Sequence, residues 1–320
     1  MKSMSNKDMK ITWLKGLISL ALMGWLFYSL EIENVLLVLI NMDLRWLAAA
    51  TAWIVIAMVV SNIKWRLLMR VMGIELPWSY TWNSYWVGIF FNNFLPSSIG
   101  GDAMRIHLVG RKTGDLSGST ASVVVERILA TGGLAALGLV AAPFIKSQNL
   151  TVTLLFIVLI LISLALVLLI ISPKFSKLMA VLLPIKNDRT KQFFSKFSDC
   201  GRQVKEQPKV ILQVAIWSAA FQFCVVMVNF YIFRALKMEP VSLLEAAYLI
   251  PAASVAAMIP ISINGYGVRE NAYVLLLSLL NVSKASAVTA SVLFAFLVSI
   301  LSLYGGWVWF KGLGNGRHMA

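Results

Sequence analysis

Charge is what this sequence has least of. Asp, Glu, Lys and Arg make up only 13% of its 320 residues, about half the share of an ordinary soluble domain. Its two cysteines, Cys200 and Cys224, offer neither a disulfide framework nor a metal-ligand spacing. The two histidines, His107 and His318, stand alone, so no metal site is expected. The absence of a Walker motif excludes a self-contained nucleotide-driven pump. No nucleophile–base constellation is present either, so no catalytic residue is assigned and an enzyme is the less favoured expectation. No cofactor is expected.

What fills the chain instead is apolar: 59% of residues are hydrophobic, and the mean hydropathy is +0.80. Long apolar segments fall near 11–30, 46–63, 118–143, 151–172, 210–233 and 286–310, with less regular ones near 78–95 and 242–260 and a shorter run at 271–280. About 20 apolar residues in helical form cross a hydrocarbon core of roughly 30 Å. The expectation is therefore an all-α polytopic membrane protein forming one integral membrane domain. The first segment reads as a retained anchor, because no small-residue cleavage site follows it; a cleaved signal peptide is the alternative.

The formal net charge of +14 raises nucleic acid as a partner. Phosphate-gripping residues share one accessible face, whereas these lie in short clusters between apolar segments, the pattern that orientation in a membrane leaves. Nucleic acid is excluded on that ground. Lys2, Lys7, Lys10 and Lys15 place the N-terminus inside, and Lys64, Arg66 and Arg70 bring the chain back there. The loop 173–209 carries nine basic and three acidic residues and reads as cytoplasmic. Within it Phe193, Phe194, Phe197 and Val204 have the spacing of an interfacial amphipathic helix; a soluble connector is the alternative. Both termini are then expected in the cytoplasm.

An internal repeat organises these segments. Residues 70–105 align without a gap on 234–269, a shift of 164, pairing Arg70 with Arg234, Glu75 with Glu239, Pro96 with Pro260, Gly101 with Gly265 and Arg105 with Arg269. Parity of crossings turns the two copies in opposite directions, with repeat units of approximately 46–143 and 210–310. Each copy contains a re-entrant or broken-helix hairpin, which gives six to eight full crossings. Inverted repeats with interrupted helices meeting at the midplane are the sequence signature of alternating access.

The two breaks carry the candidate chemistry. The first, FFNNFLPSSIGGDAMR, has Pro96 to interrupt a helix, Gly100 and Gly101 to admit close backbone approach, and Asn92 and Asn93 as amide donors and acceptors. A fresh helix starting near Gly101 aims its positive end at an anion. Asp102 fits a capping role or a binding one. Arg105 suits a phosphate or an ion pair with Asp102 or Glu126. The second break, PISINGYGVREN, repeats the chemistry with Asn264, Gly265, Gly267 and Arg269, and adds Glu270, which has no charged counterpart in the first copy. Glu126 and Arg127 lie roughly 12 Å into segment 118–143 by helical rise. Arg127 has the reach to snorkel; Glu126 needs an internal partner and is the best single candidate for coupling or gating.

These motifs, with SVVVER after the first, resemble the signatures of the lysylphosphatidylglycerol synthase transmembrane-region family, the flippase-like integral membrane proteins. The resemblance covers about residues 8–311. It implies movement of an anionic phospholipid or a polyprenyl-phosphate-linked glycolipid between leaflets, since the best-known members move aminoacylated phosphatidylglycerol. By motif position it implies a site of Asn93, Pro96, Gly100, Gly101, Asp102, Arg105, Glu126, Arg127, Gly265, Gly267, Arg269 and Glu270. It also implies envelope glycan or lipid biosynthesis proteins as partners. Family members often have glycine where Ser97 stands here, and glycine or proline near Ile261, Ile263 and Asn264. The soluble aminoacyl-transfer domain of full-length synthases has no room after residue 311, so synthesis of lysylphosphatidylglycerol is not expected. A membrane transferase acting on a lipid head group, and a non-transporting scaffold of an envelope-assembly complex, are the other readings.

Overall fold

The computed structural model describes residues 32–94, 100–145, 148–172, 188–259 and 265–313. The expected anchor at 11–30, Pro96 with the residues beside it, and Pro260 through Asn264 lie outside these. The described residues are helical, without strands.

In chain order the helices are α1 (Ile32–Ile40), α2 (Leu44–Val71), α3 (Trp78–Phe94), α4 (Gly100–Thr113), α5 (Leu116–Ala141), α6 (Leu150–Ile170), α7 (Asp188–Glu206), α8 (Pro208–Ala235), α9 (Leu243–Met258), α10 (Val268–Ser278) and α11 (Lys284–Val308). Five of them, α2, α5, α6, α8 and α11, are long and apolar enough to cross a membrane, and α9 is a shorter apolar helix. The protein is an integral multi-pass membrane protein.

Their ends follow from local chemistry. Asp43 caps α2 by accepting from the Arg45 amide at 3.0 Å. Asn149 caps α6 through the amides of Thr151 and Val152, and Ser283 caps α11 through that of Ser286. Pro208 opens α8 at a position where no intrahelical donor is needed. Such caps satisfy backbone donors that lipid leaves unpaired.

The helices recur at the spacing of the sequence repeat. Both α2 and α8 have 28 residues, and their first residues are Leu44 and Pro208, 164 apart. Among the described helices they make the most extensive contact. At one end the Asp43 amide donates to the Ala235 carbonyl at 2.9 Å, and Trp46 stacks on Tyr231. Further along, Trp53 meets Phe223 edge-on, and Leu68 and Val71 share a cluster with Val214. The start of α2 therefore lies beside the end of α8, and the two equivalent helices run antiparallel. Other contacts are exchanged in the same manner: α3 packs on α11, and its counterpart α9 packs on α5. Ala57 and Phe221, equivalent under the 164-residue shift, sit in one cluster and mark where the relating axis passes.

Small residues set the close approaches. A Cβ on Gly133 of α5 meets the Ser218–Ala219 backbone of α8 at 3.0 Å, and one on Gly305 of α11 overlaps the Trp86 carbonyl of α3. Without a hydrophobic drive between helices in lipid, such contacts supply packing that larger residues prevent. The return limbs of the hairpins are short. By helical rise, α4 with 14 residues and α10 with 11 reach about 21 and 16 Å, less than a hydrocarbon core.

Two expectations are refined by packing. Helix α2 continues to Val71, past the anticipated end at 63, because no glycine or proline intervenes before Gly73, whose φ is +70°. Lys64 and Arg66 are thus helical residues, not loop residues. Helix α7 is amphipathic, but its apolar side, Phe197, Cys200 and Val204, is buried against Leu68, Ala121, Val125 and Ile170. Gly201 allows this, since a Cβ there overlaps the Ile170 carbonyl. Burial pushes the Cys200 thiol up to about 11.

Candidate functional site

Folding back of α4 on α3 builds the first half of the site. A Cβ on Gly101 overlaps the carbonyl of Gly88, and one on Gly88 meets Arg105 Cγ at 2.8 Å. The two glycines let the limbs touch backbone to backbone. Asn92 on α3 reaches across and accepts from the Gly101 amide at 2.8 Å, so the opposite limb caps the first turn of α4. Asn93 instead donates to Ser302 Oγ on α11 at 3.1 Å, tying the hairpin to the other repeat.

One turn further on, five charged side chains from three helices meet. Arg105 donates to Asp102 Oδ1 at 2.8 Å and to Glu126 Oε2 at 2.9 Å. Lys64 Nζ is 3.3 Å from Glu126 Oε1, and the Tyr85 hydroxyl donates to the same oxygen at 3.4 Å. Arg127 closes the chain of contacts with two bonds of 2.7 Å to the two oxygens of Asp102. The Arg105 guanidinium is flanked by the rings of Trp65 and Tyr85, 4.8 and 4.5 Å from their centroids. Three cations against two carboxylates leave one positive charge in surplus.

Exposure divides this cluster. Lys64, Arg105 and Glu126 are at most 3% exposed, whereas the Arg127 side chain is 53% exposed and Asp102 14%. Burying charges costs several kcal/mol per ion unless each is paired, and the buried three are paired. Asp102, Arg105 and Arg127 line a cavity of about 210 Å³ whose other walls come from α2, α3, α8 and α11, including Ala57, Tyr85, Phe221 and Phe294. The cavity therefore lies where the relating axis passes.

The second motif is built differently. Gly265 and Gly267 have φ of +75° and +83°, a left-handed conformation that favours glycine. Glu270 Oε2 accepts from the Gly267 amide at 2.6 Å and fixes the start of α10. Its other oxygen accepts from Arg269 at 3.1 Å and from Ser291 at 3.1 Å. Arg269 also donates to Ser291 Oγ at 3.2 Å and lies 5.7 Å from the Phe294 ring centroid. Phe294 thus touches both motifs: it lines the central cavity and faces Arg269.

The structure brings Asn92, Gly101, Asp102, Arg105, Glu126 and Arg127 together around one hairpin. Gly265, Gly267, Arg269 and Glu270 form a separate group behind Phe294. Gly100 begins α4, while Pro96 and Asn264 lie outside the described residues. Sequence reasoning missed Lys64, Tyr85 and Trp65. The signal for Lys64 was the unbroken helical stretch 64–71, which left a lysine inside an apolar helix with no break to release it.

The profile of the family described as "Lysylphosphatidylglycerol synthase TM region" matches residues 12–306. The chain belongs to that family. A relative named UPF0104 membrane protein PH1989, from Pyrococcus horikoshii, is 23% identical over 303 residues, covering 87% of this chain and 90% of the relative. The family match spans both hairpins, so the paired motifs and the cavity between them all lie within the region the family shares.

Proposed function

We infer that this family member moves an anionic lipid, a phospholipid or a polyprenyl-phosphate-linked glycolipid, between leaflets of a prokaryotic plasma membrane. The observation that carries this reading is the central cavity, lined by Asp102, Arg105 and Arg127 but otherwise largely apolar, and set between the two antiparallel repeats. A surplus positive charge there matches one phosphodiester. The half-exposed Arg127 is the group that meets the ligand, because its planar fork suits phosphate oxygens. Arg105 and Glu126 hold the hairpin in place behind it. Arg269 joins the site from the far side of Phe294 when the repeats rearrange.

In this reading Asp102 is the resident counter-ion that a phosphate displaces from Arg127. Both termini and the 173–209 loop face the cytoplasm, and envelope lipid or glycan biosynthesis proteins supply or consume the cargo. The test is leaflet exchange of a fluorescent phosphatidylglycerol in liposomes holding the purified full chain. Exchange above that of protein-free liposomes and lowered in R127Q supports the reading; exchange at the protein-free rate removes it.

A further inference from the structure

A second cavity lies beyond the charge cluster, at the end of α2 opposite Asp43. Its volume is about 340 Å³, and Arg66, Arg70 and Glu75 line it together with Met69, Ile74 and Pro77. We propose that it binds the phosphate of an anionic phospholipid at the level of the membrane headgroups. This inference does not rest on translocation.

Four observations support it. First, the depth is right: α2 is long and apolar enough to span, and the cavity sits on its last turn and the chain that follows. Second, Trp78 beside the cavity is 43% exposed, packs under Arg66 with the guanidinium 5.5 Å from its ring, and stacks on Trp82. Exposed tryptophans settle at the headgroup level. Third, one arginine is held and the other is uncommitted. Arg66 NH1 donates to the Leu76 carbonyl at 2.7 Å and to Thr81 Oγ1 at 3.1 Å, which fixes its guanidinium in the wall. Arg70 is exposed and makes no hydrogen bond or ion pair among the described residues. Fourth, two arginines against Glu75 leave one positive charge, which matches the single charge of a phosphodiester.

The site is one-sided. The repeat counterparts of Arg66 and Arg70 are Phe230 and Arg234, and Arg234 lies over the Phe230 ring at 4.9 Å. The arginine pair therefore has no counterpart at the repeat-equivalent end, and the proposed site belongs to one membrane face.

The full chain is purified from mixed micelles of phosphatidylcholine and phosphatidylglycerol, and retained lipid per protein is measured by mass spectrometry. Wild type retains phosphatidylglycerol preferentially; R70Q lowers that retention about threefold or more, as loss of a charge-assisted contact requires. The control is R45Q, since Arg45 lies at the other end of α2 with a side chain 92% exposed; its retention stays at the wild-type level. E75Q, which removes the opposing carboxylate, raises retention. Because Arg70 makes no hydrogen bond or ion pair among the described residues, size-exclusion profiles of R70Q stay those of wild type. Equal retention by wild type and well-folded R70Q overturns the proposal. So does binding of free glycerol phosphate that depends on Arg70 while lipid retention does not.

Discussion

The guanidinium of Arg105 lies 2.9 Å from the carboxylate of Glu126, and neither side chain is more than 3% exposed. Glu126 also meets Lys64 at 3.3 Å, so one buried carboxylate is shared by two buried cations from different helices. Removing one partner of a buried pair costs about 3–5 kcal/mol, because the other charge stays uncompensated. E126A is therefore expected to lose most of its detergent-stable protein. K64M/E126Q, which takes away a cation together with the anion, is expected to recover part of that loss. Thermal unfolding followed by size-exclusion chromatography checks both. A double variant less stable than E126Q alone counts against the shared-carboxylate account.

Arg127 is expected to behave in the opposite way. Its side chain is half exposed, and Asp102 keeps its bond to Arg105 when Arg127 is replaced, so no carboxylate is left unpaired. R127Q should therefore keep a wild-type melting profile while lipid exchange falls about tenfold or more, since its forked contacts are the ones offered to phosphate. R127K, which keeps charge but not the fork, should fall between them. Exchange rates and melting curves taken from one preparation separate binding from folding.

The hairpin contact gives a steric prediction. G101A places a methyl group into the Gly88 carbonyl and beside the Asn92 side chain. The two limbs must part, which costs about 1–3 kcal/mol for overpacking and breaks the cap from Asn92. G114A serves as the internal control, because a Cβ there meets nothing within 4 Å, although its φ of +72° carries a backbone cost of its own. A larger loss of folded yield for G101A than for G114A is the expected order.

The legible part of this protein was the part written in runs and repeats. The apolar segments at 46–63, 118–143, 151–172, 210–233 and 286–310 all fall on helices long enough to span. The 164-residue shift reappears as two 28-residue helices packed antiparallel. Glu126 was recognisable as a carboxylate in need of a partner, because a span has no water to solvate it. Arg105 was legible as an ion-pair partner, the alternative to a phosphate, but Lys64 and Tyr85 were not. Lys64 and Tyr85 approach Glu126 from α2 and α3, and no local periodicity records which face of one helix meets another. Charge was also misleading at the end of α2, where Lys64 and Arg66 read as the start of a loop. In the fold they are helical residues whose charges are met by Glu126 and by the Leu76 carbonyl.

The packing of α7 makes the topology testable. Lys196 is exposed on α7, at the end of the molecule that holds Leu68 and Ile170, whereas Gln148 is exposed near Tyr248 and Asn149 at the opposite end. With residue 196 expected in the cytoplasm, K196C should label only after the membrane is opened, and Q148C should label from outside. The native cysteines remain silent in this experiment, because Cys200 and Cys224 are both buried and the Cys200 thiol stays protonated at neutral pH. External labelling of K196C in intact cells reverses the orientation.

The two motif arginines differ in surroundings, and that difference gives the sharpest experiment. Arg105 has two carboxylates and two aromatic rings around it and is 2% exposed; Arg269 is 15% exposed, with Glu270 and Ser291 as its polar partners. Lysine keeps the charge at either position but cannot reproduce a planar fork. R105K should then lose stability as well as exchange, since it gives up one of its two carboxylate bonds. R269K should keep its fold and lose exchange, if Arg269 joins the ligand from behind Phe294. The rings make this separable from simple loss of packing: F294L retains an apolar filler between the motifs and should affect exchange less than R269K does. Lipid exchange and detergent-stable yield are measured for R105K, R269K and the double variant together. A well-folded double variant with normal exchange removes Arg269 from the head-group site and leaves Arg127 as the group that must carry the head group alone.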